Sequence, residues 1–367
     1  MDAQLADSRL MLLPDGVYPY IVLILFISLV GVVWNALITS ALVEIRRSLT
    51  FDFVFICNIV LSDFLFCILT SIYGLLSIGK PHSIFSESPF LCRFYAAAME
   101  VLAGSTVVSL IPLGVVPVLV IVFKFPTPSF ALCAFLVVGA WCLFIVNVCL
   151  ITMIEPHAVA IGVSGTWCHY STITGGPFSQ TLNIINVTTL FATPVIISVT
   201  YAGLWRHIYT AQKLLDGLRD SSDTESAATN KVSGQTAKGI TPSQALDAAR
   251  RAATVRGLTL SVVFVILWLP LSVRMTLEST TQSNPSWQFD IVGSVTSCVN
   301  AALDPILLVL LDGRLKASLR RLALSLGWVK PSVASILSGG HSKQASSEAR
   351  TSTHHPTIQS IQLTDRE

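Results

Sequence analysis

The chain has 367 residues, 52% apolar and only 12% charged, with a formal net charge of +2. Soluble domains carry roughly 25% charged residues. With a mean hydropathy of +0.69, this composition excludes a soluble single-core enzyme and a disordered chain, and points to a membrane protein. A bilayer-spanning helix needs about 20 mostly apolar residues. Seven stretches qualify in chain order: 18–43, 53–78, 94–123, 131–154, 178–205, 257–277 and 291–311. The first, fourth and fifth carry no charge. The second, third and seventh carry only Asp63, Glu100 and Asp304, and the sixth is clean until Arg274.

The first stretch is too long for a signal-peptide core and lacks a basic flank before it, so it reads as a span. Asp2, Asp7, Arg9 and Asp15 precede it and Arg46 and Arg47 follow, which favours an outside N-terminus. Seven spans then put the C-terminus inside. On that topology 19 of the 23 Lys and Arg residues fall inside, and only Arg9, Lys80, Arg93 and Arg274 outside. The expected fold is therefore an all-α membrane protein, a seven-helix bundle in the plasma membrane. Residues 1–17 form an outer tail and 18–311 the seven-span domain. Residues 155–177 are a long outer loop without Lys or Arg. The third inner loop, 210–250, is rich in Ser, Thr, Ala, Lys and Asp and is expected to be disordered. In 312–327, Leu315, Leu319 and Leu322 share one face between basic residues, which predicts an amphipathic helix on the inner leaflet. The Ser/Thr-rich tail, 328–367, is expected to be disordered.

Cys57, Cys67, Cys133, Cys142, Cys149 and Cys298 lie inside spans and read as small apolar residues. Only Cys92 and Cys168 face the outside, where oxidation is favoured. The pair reads as a disulfide, with two free thiols as the alternative. The Asn186-Val-Thr188 sequon lies within a span and does not read as glycosylated. No Gly-rich phosphate loop, paired His/Cys metal spacing or nucleophile elbow occurs, so no enzymatic activity is expected. No nucleic-acid partner is expected either.

Landmarks recur one per span: Gly31-x-x-x-Asn35, Asn58-Ile-Val-Leu-Ser-Asp63, Cys92, Trp141, Pro194 with Tyr201 seven residues on, Leu267-Trp268-Leu269-Pro270, and Asp304-Pro305-Ile-Leu-Leu308. In this order they resemble the rhodopsin-like (class A) G-protein-coupled receptors over about residues 17–325. Two departures stand out. Counting from Cys92, the family's Asp-Arg-Tyr falls at Val116-Pro117-Val118, and the tyrosine of its seventh-helix motif is Leu308. Pro112 and Pro117 should also kink or loosen the inner end of the third span.

The resemblance implies site residues. Asp63, Asn35, Thr106, Asn300 and Asp304 match a polar site that could hold Na⁺ or share a proton; a buried carboxylate needs a partner or a role. Trp268, Pro270, Phe264, Pro194 and Val107 match a switch layer. Tyr95, Met99, Glu100, Arg274, Glu278 and Asp290 would approach an extracellular ligand. Met99 stands where aminergic receptors have an aspartate, so a monoamine is not expected. Cys298 stands where opsins bind retinal, and no span contains a lysine, so no retinal Schiff base and no other cofactor is expected. Val116, Pro117, Arg250, Arg251 and Arg256 would face a G protein or arrestin-like partner, with Arg314, Lys316, Arg320 and Arg321 beside anionic lipid.

The reading is a class A receptor for an extracellular ligand, with atypical or weak G-protein coupling. Its alternative is a non-signalling seven-helix protein, acting as a decoy, a heteromer or dimer partner, or a scaffold. A transporter or channel is the third reading; it would show more spans or broken repeats.

Overall fold

The computed structural model describes residues 12–45, 51–171, 173–226 and 242–327, apart from some side chains within helices. Its elements are α1 (Tyr18–Ile45), α2 (Phe51–Ser77), α3 (Ile84–Glu87), α4 (Pro89–Ile121), α5 (Phe130–Ile154), β1 (Val159–Ile161), β2 (Cys168–Tyr170), α6 (Pro177–Ser226), α7 (Pro242–Thr281), α8 (Trp287–Leu311) and α9 (Gly313–Ser325). All but α3 and α9 among these helices contain a stretch long and apolar enough to cross a bilayer, seven in total among the described residues. Two compact units are present, Met1–Leu319 and Arg320–Glu367. The first holds the bundle. The second is described only over 320–327, where α9 ends in a turn.

The polarity is that of a membrane bundle. Large apolar side chains such as Phe135, Met153 and Val199 face outward, while Ser28, Asn35, Asn58, Asp63, Ser105 and Ser109 are buried. Lipid is as apolar as leucine, so helices associate through close packing and interhelical hydrogen bonds. Thr70 Oγ1 donates to Ser28 Oγ at 2.7 Å, joining α2 to α1. Asn58 Nδ2 donates to Ser109 Oγ of α4 at 2.8 Å, and Trp141 Nε1 of α5 donates to Asn58 Oδ1 at 2.7 Å. Helix α4 is central and packs on α2, α5 and α6; α1 packs on α2 and α8, and α7 on α6 and α8.

Local sequence sets several helix starts. Ser88, followed by Pro89, accepts from Leu91 N, and Ser129 accepts from Leu132 N. These are N-cap bonds for α4 and α5. Helix α6 borrows its cap from the end of α5: the Glu155 carboxylate accepts from Gly176 N, Phe178 N and Ser179 N at 2.8–3.0 Å. Burial raises the Glu155 pKa, but these donors outweigh it and hold the carboxyl below its ordinary value.

Three expectations need adjustment. Residues 210–226 and 242–250 are helical extensions of α6 and α7, not irregular chain. Ala, Leu, Lys, Gln and Arg make up half of these stretches, and extending a nucleated helix is easy. Residues 227–241 lie outside the described ones, as do 1–11 and 328–367, the bulk of the two tails. Second, α4 stays helical through Pro112 and Pro117 to Ile121. Third, the long loop contains an antiparallel hairpin, pairing Val159 with Tyr170, Ala160 with His169 and Ile161 with Cys168. Gly165, at φ +69°, turns the chain between the strands.

Candidate functional site

The end of the bundle that carries the β1–β2 hairpin is tied down covalently and ionically. Cys92, near the start of α4, is disulfide-bonded to Cys168 of β2. Leu13 N donates to Pro81 O, so the segment before α1 also lies at this end. Arg274 of α7 is fully buried. Its Nη1 lies 2.7 Å from Glu278 Oε2 and its Nε 3.1 Å from Asp290 Oδ1 of α8. Its guanidinium also sits over the Trp167 ring, 4.8 Å from the centroid. The hairpin completes both carboxylates. Ser171 Oγ donates to Glu278 Oε1 at 2.6 Å, while Trp167 Nε1 donates to Asp290 Oδ1 at 2.7 Å and Ser164 Oγ to Asp290 Oδ2 at 2.6 Å. Gly162 is needed here: a Cβ at this position would lie 2.5 Å from Asp290 Oδ2 and 2.3 Å from Trp167 Nε1.

His169 Nε2 lies 2.9 Å from Arg274 Nη2 and 3.2 Å from Glu278 Oε2. One imidazole nitrogen cannot accept from the guanidinium and donate to the carboxylate at once. Burial first, then the Arg274 charge, hold the His169 pKa below its ordinary value. Both causes favour the neutral ring, in which Nε2 accepts from Arg274.

Beneath the hairpin lies a cavity of about 150 Å³. Thr166 to Tyr170 line it from the hairpin, Tyr95, Met99, Glu100 and Val107 from α4, Asn183 and Asn186 from α6, and Trp268 and Leu271 from α7. Thus three of the residues set near a ligand by sequence, Tyr95, Met99 and Glu100, do border one cavity. Arg274, Glu278 and Asp290 do not; they are consumed in the ion-pair network with the hairpin, where a buried guanidinium needs both carboxylates. Glu100 Oε1 accepts from Asn186 Nδ2 at 2.7 Å, linking α4 to α6. Asn183, 2% exposed, has no partner among the described residues for either side-chain polar atom. The sequence reading missed Asn183, Trp167 and His169. An asparagine inside an apolar span was the available signal for the first; nothing local marks the other two.

Trp268, Phe66, Ala103 and Ser297 line this cavity and also a smaller space of about 10 Å³ beside Asp63, room for about one water-sized species. Thr106 and Asn300 border the small space too. Among the described residues, Asp63 Oδ2 and Asn300 Oδ1 are buried oxygens without a donor; Asn35 Oδ1 is another, but Asn35 does not border this space. Thr106 Oγ1 donates to Leu102 O within its own helix, leaving its lone pairs free. Asp304 Oδ2 accepts from Asn300 Nδ2 at 2.9 Å. Unpaired oxygens around a carboxylate are the donor set of a hard cation. Asn35 has a second task. Its Nδ2 donates to Ala301 O at 3.1 Å, the carbonyl four residues before Pro305, whose missing N–H leaves it open.

The switch-layer residues are packed together in part. Phe264 and Trp268 stack with ring centroids 5.6 Å apart, and Phe264 and Val107 belong to one buried cluster. Trp268 Nε1 is buried without a partner among the described residues. Pro270 lies inside α7. The Pro194 side chain lies outside the described ones.

At the α9 end, Val116 is half-buried and Leu308 fully buried. Leu308 packs with Ile38, Ile56, Leu260 and Leu315, joining α1, α2, α7, α8 and α9. The side chains of Pro117, Arg250, Arg251 and Arg256 lie outside the described ones, so their part of the expected partner face has no geometry here. The backbone around Pro117 is described. Leu113 O, four residues before it, accepts from Tyr201 Oη of α6 at 3.1 Å. Arg314 does not stand free as part of a basic surface. Its Nη2 donates to Asp52 Oδ2 of α2 at 3.1 Å and to Asp312 Oδ2 at 3.0 Å.

Comparison with known structures and families places this arrangement. The fold is similar to that in the crystal structure of squid rhodopsin, with a TM-score of 0.67 at 15% identity, over 86% of this chain and 87% of that one. At that identity the likeness speaks for the fold alone. No curated protein sequence matches. The family model described as "7 transmembrane receptor (rhodopsin family)" matches residues 34–308, three-quarters of the chain. With seven membrane helices, the Cys92–Cys168 disulfide and a cavity beneath the hairpin, the chain belongs to the rhodopsin family of seven-transmembrane, G-protein-coupled receptors.

Proposed function

We propose that this receptor binds a ligand in the cavity between Tyr95, Glu100, Asn183 and Trp268, and that it couples to G proteins weakly or not at all. The hairpin end faces outside and the α9 end the cytoplasm of the plasma-membrane cell, as the Lys and Arg distribution indicates. Partners on the α9 side are a G protein, an arrestin-like protein and anionic lipid, with a second copy as a dimer partner. Asp63, Thr106 and Asn300 would hold Na⁺, with Asp304 oriented through Asn300.

One observation carries the coupling reading. Where the family presents an arginine, this chain has Pro117, which lacks both a charge and a backbone donor, and the carbonyl it leaves open is taken by Tyr201. The burial of Leu308 in an apolar cluster adds to this and favours the second reading, a non-signalling seven-helix protein acting as decoy, heteromer partner or scaffold. The test is nucleotide exchange on a panel of heterotrimeric G proteins, with the receptor verified at the cell surface. Exchange at the receptor-free rate supports the reading; robust exchange removes it.

A further inference from the structure

We infer that the cavity takes a bilayer-soluble ligand with one hydrogen-bond-donating end, an alcohol, amide or amine and not an anion, and that it arrives sideways between α5 and α6. This rests on the reading of the cavity as the receptor's ligand site. The polar end of the ligand is specified by two side chains. Asn183 is buried with both polar atoms unpartnered among the described residues and borders the cavity. A buried amide left unmade in this way is destabilising, so a ligand that bonds it is favoured over an apolar one. Glu100 accepts one bond from Asn186 and keeps acceptor capacity on its remaining lone pairs. Among the described residues no Lys or Arg lines the cavity, and its histidine, His169, is engaged by Arg274. A carboxylate or phosphate would meet Glu100 with no cation to receive it. The rest of the wall is mostly aromatic and aliphatic, which suits an apolar body.

The route follows from where the cavity is closed and where it is not. At the hairpin end it is roofed by a disulfide-bonded strand and a buried ion-pair network. At the side, Ile185 lines the cavity and is yet 55% exposed, on the same lipid-facing stripe of α6 as Ile184 and Phe191. Phe144 of α5 borders the cavity as well. Its ring lies so close to Gly104 that a Cβ there would meet it at 2.4 Å. Helix α5 packs chiefly on α4 and little on α6. Glu100 is 11 residues into α4 and Asn186 is 9 residues into α6. At 1.5 Å per residue both lie about 14–16 Å from their helix starts, within the ~30 Å hydrocarbon layer. An opening beside Ile185 therefore faces acyl chains, which only a lipid-soluble molecule traverses.

The experiment uses the full-length receptor in phosphatidylcholine nanodiscs and three photoreactive hexadecyl probes, identical except for an alcohol, a primary amine or a carboxylate at one end. Labelled peptides are mapped by mass spectrometry. The alcohol and amine should label the α4, α5 and α6 cavity wall at least 10-fold more than the carboxylate, and saturably. Asn183→Leu should cut that labelling at least 5-fold. It exchanges an unpartnered amide for an apolar group of similar size, so it should leave thermal unfolding unchanged or raised. Glu100→Gln, which keeps a bond to Asn186, should weaken the amine more than the alcohol. Ile185→Trp should slow the onset of labelling several-fold. Equal or better labelling by the carboxylate, labelling confined to outward-facing residues, or no saturable labelling by any probe overturns the ligand class. An unchanged onset in Ile185→Trp overturns the sideways route. Saturable labelling as expected, together with robust probe-dependent nucleotide exchange on a G protein, would remove the weak-coupling reading and leave the ligand class standing. Saturable labelling by the carboxylate alone, with no exchange, would do the reverse.

Discussion

Tyr201 Oη donates to Leu113 O at 3.1 Å, and Leu113 stands four residues before Pro117. A helix normally fills that carbonyl with the N–H of the fourth residue on, which a proline lacks. Tyr201 thus supplies from α6 the bond that Pro117 takes from α4. The two residues act as a pair: the proline opens the acceptor and the tyrosine closes it. Tyr201→Phe should leave a buried acceptor unmade and lower stability by about 1–3 kcal/mol. In a Pro117→Ala background the helix regains its own donor, and the same Tyr201→Phe change should cost under about 1 kcal/mol. A thermal-unfolding double-mutant cycle measures the difference. Equal losses in both backgrounds would break the link between the two residues.

Among the described residues, Arg274 is the Lys or Arg side chain paired with both Glu278 and Asp290. Removing one partner of a buried ion pair is strongly destabilising because it strands the other. Arg274→Met should strand two carboxylates and lower stability by about 3–5 kcal/mol, with poor surface expression. A triple change that also makes Glu278→Gln and Asp290→Asn should recover most of the loss. Recovery is read from thermal unfolding of the purified proteins; a triple variant as weak as the single one would count against ion pairing as the cause.

The same cluster sets a pH dependence. The groups facing His169 are Arg274, Glu278 and Asp290. Its folded-state pKa is depressed, first by burial and then by Arg274. The unfolded chain therefore binds a proton more readily, so stability is full above about 6.5, the ordinary histidine value, and falls as pH drops toward the folded value. Melting temperature should decline from pH 7 toward pH 5, and His169→Gln should flatten that part of the curve. A wild-type curve that is flat there, or rises, contradicts the assignment of a neutral imidazole.

Near Asp63 the expectation is ionic. If the unpaired oxygens of Asp63 and Asn300 receive Na⁺, melting temperature should rise with NaCl and not with an equal concentration of N-methylglucamine chloride. Asp63→Asn should erase the difference. No sodium effect in the unmodified receptor would reduce this space to a packed polar gap.

Much of the architecture was readable because the bilayer imposes a length and a polarity on each span: all seven were found, and Trp141, Asn35 and Cys92 stand where their motifs suggested. The interior pairings were harder. That Pro117 opens Leu113 O follows from spacing alone, but the donor lies 88 residues on in α6, at a distance no local pattern encodes. Arg274 and Glu278, four apart on one helix, carried the signature of an ion pair, which their position near a ligand site obscured. The hairpin was hidden because its strands are three residues each, too short for alternation to register. The helical extensions over 210–226 and 242–250 have low hydropathy, which a span pattern does not register; a helix already nucleated in the membrane continues through them because propagation is far easier than nucleation.

The most direct test of the account is nucleotide exchange by the receptor at measured surface density, across Gs, Gi, Gq and G12 heterotrimers, beside the double variant Val116→Asp with Pro117→Arg. The account predicts exchange at the receptor-free rate for the unmodified chain, with and without the alcohol and amine probes. It predicts a measurable gain for the double variant, which restores the charged arginine and returns a backbone donor to Leu113. Robust exchange by the unmodified chain would contradict it.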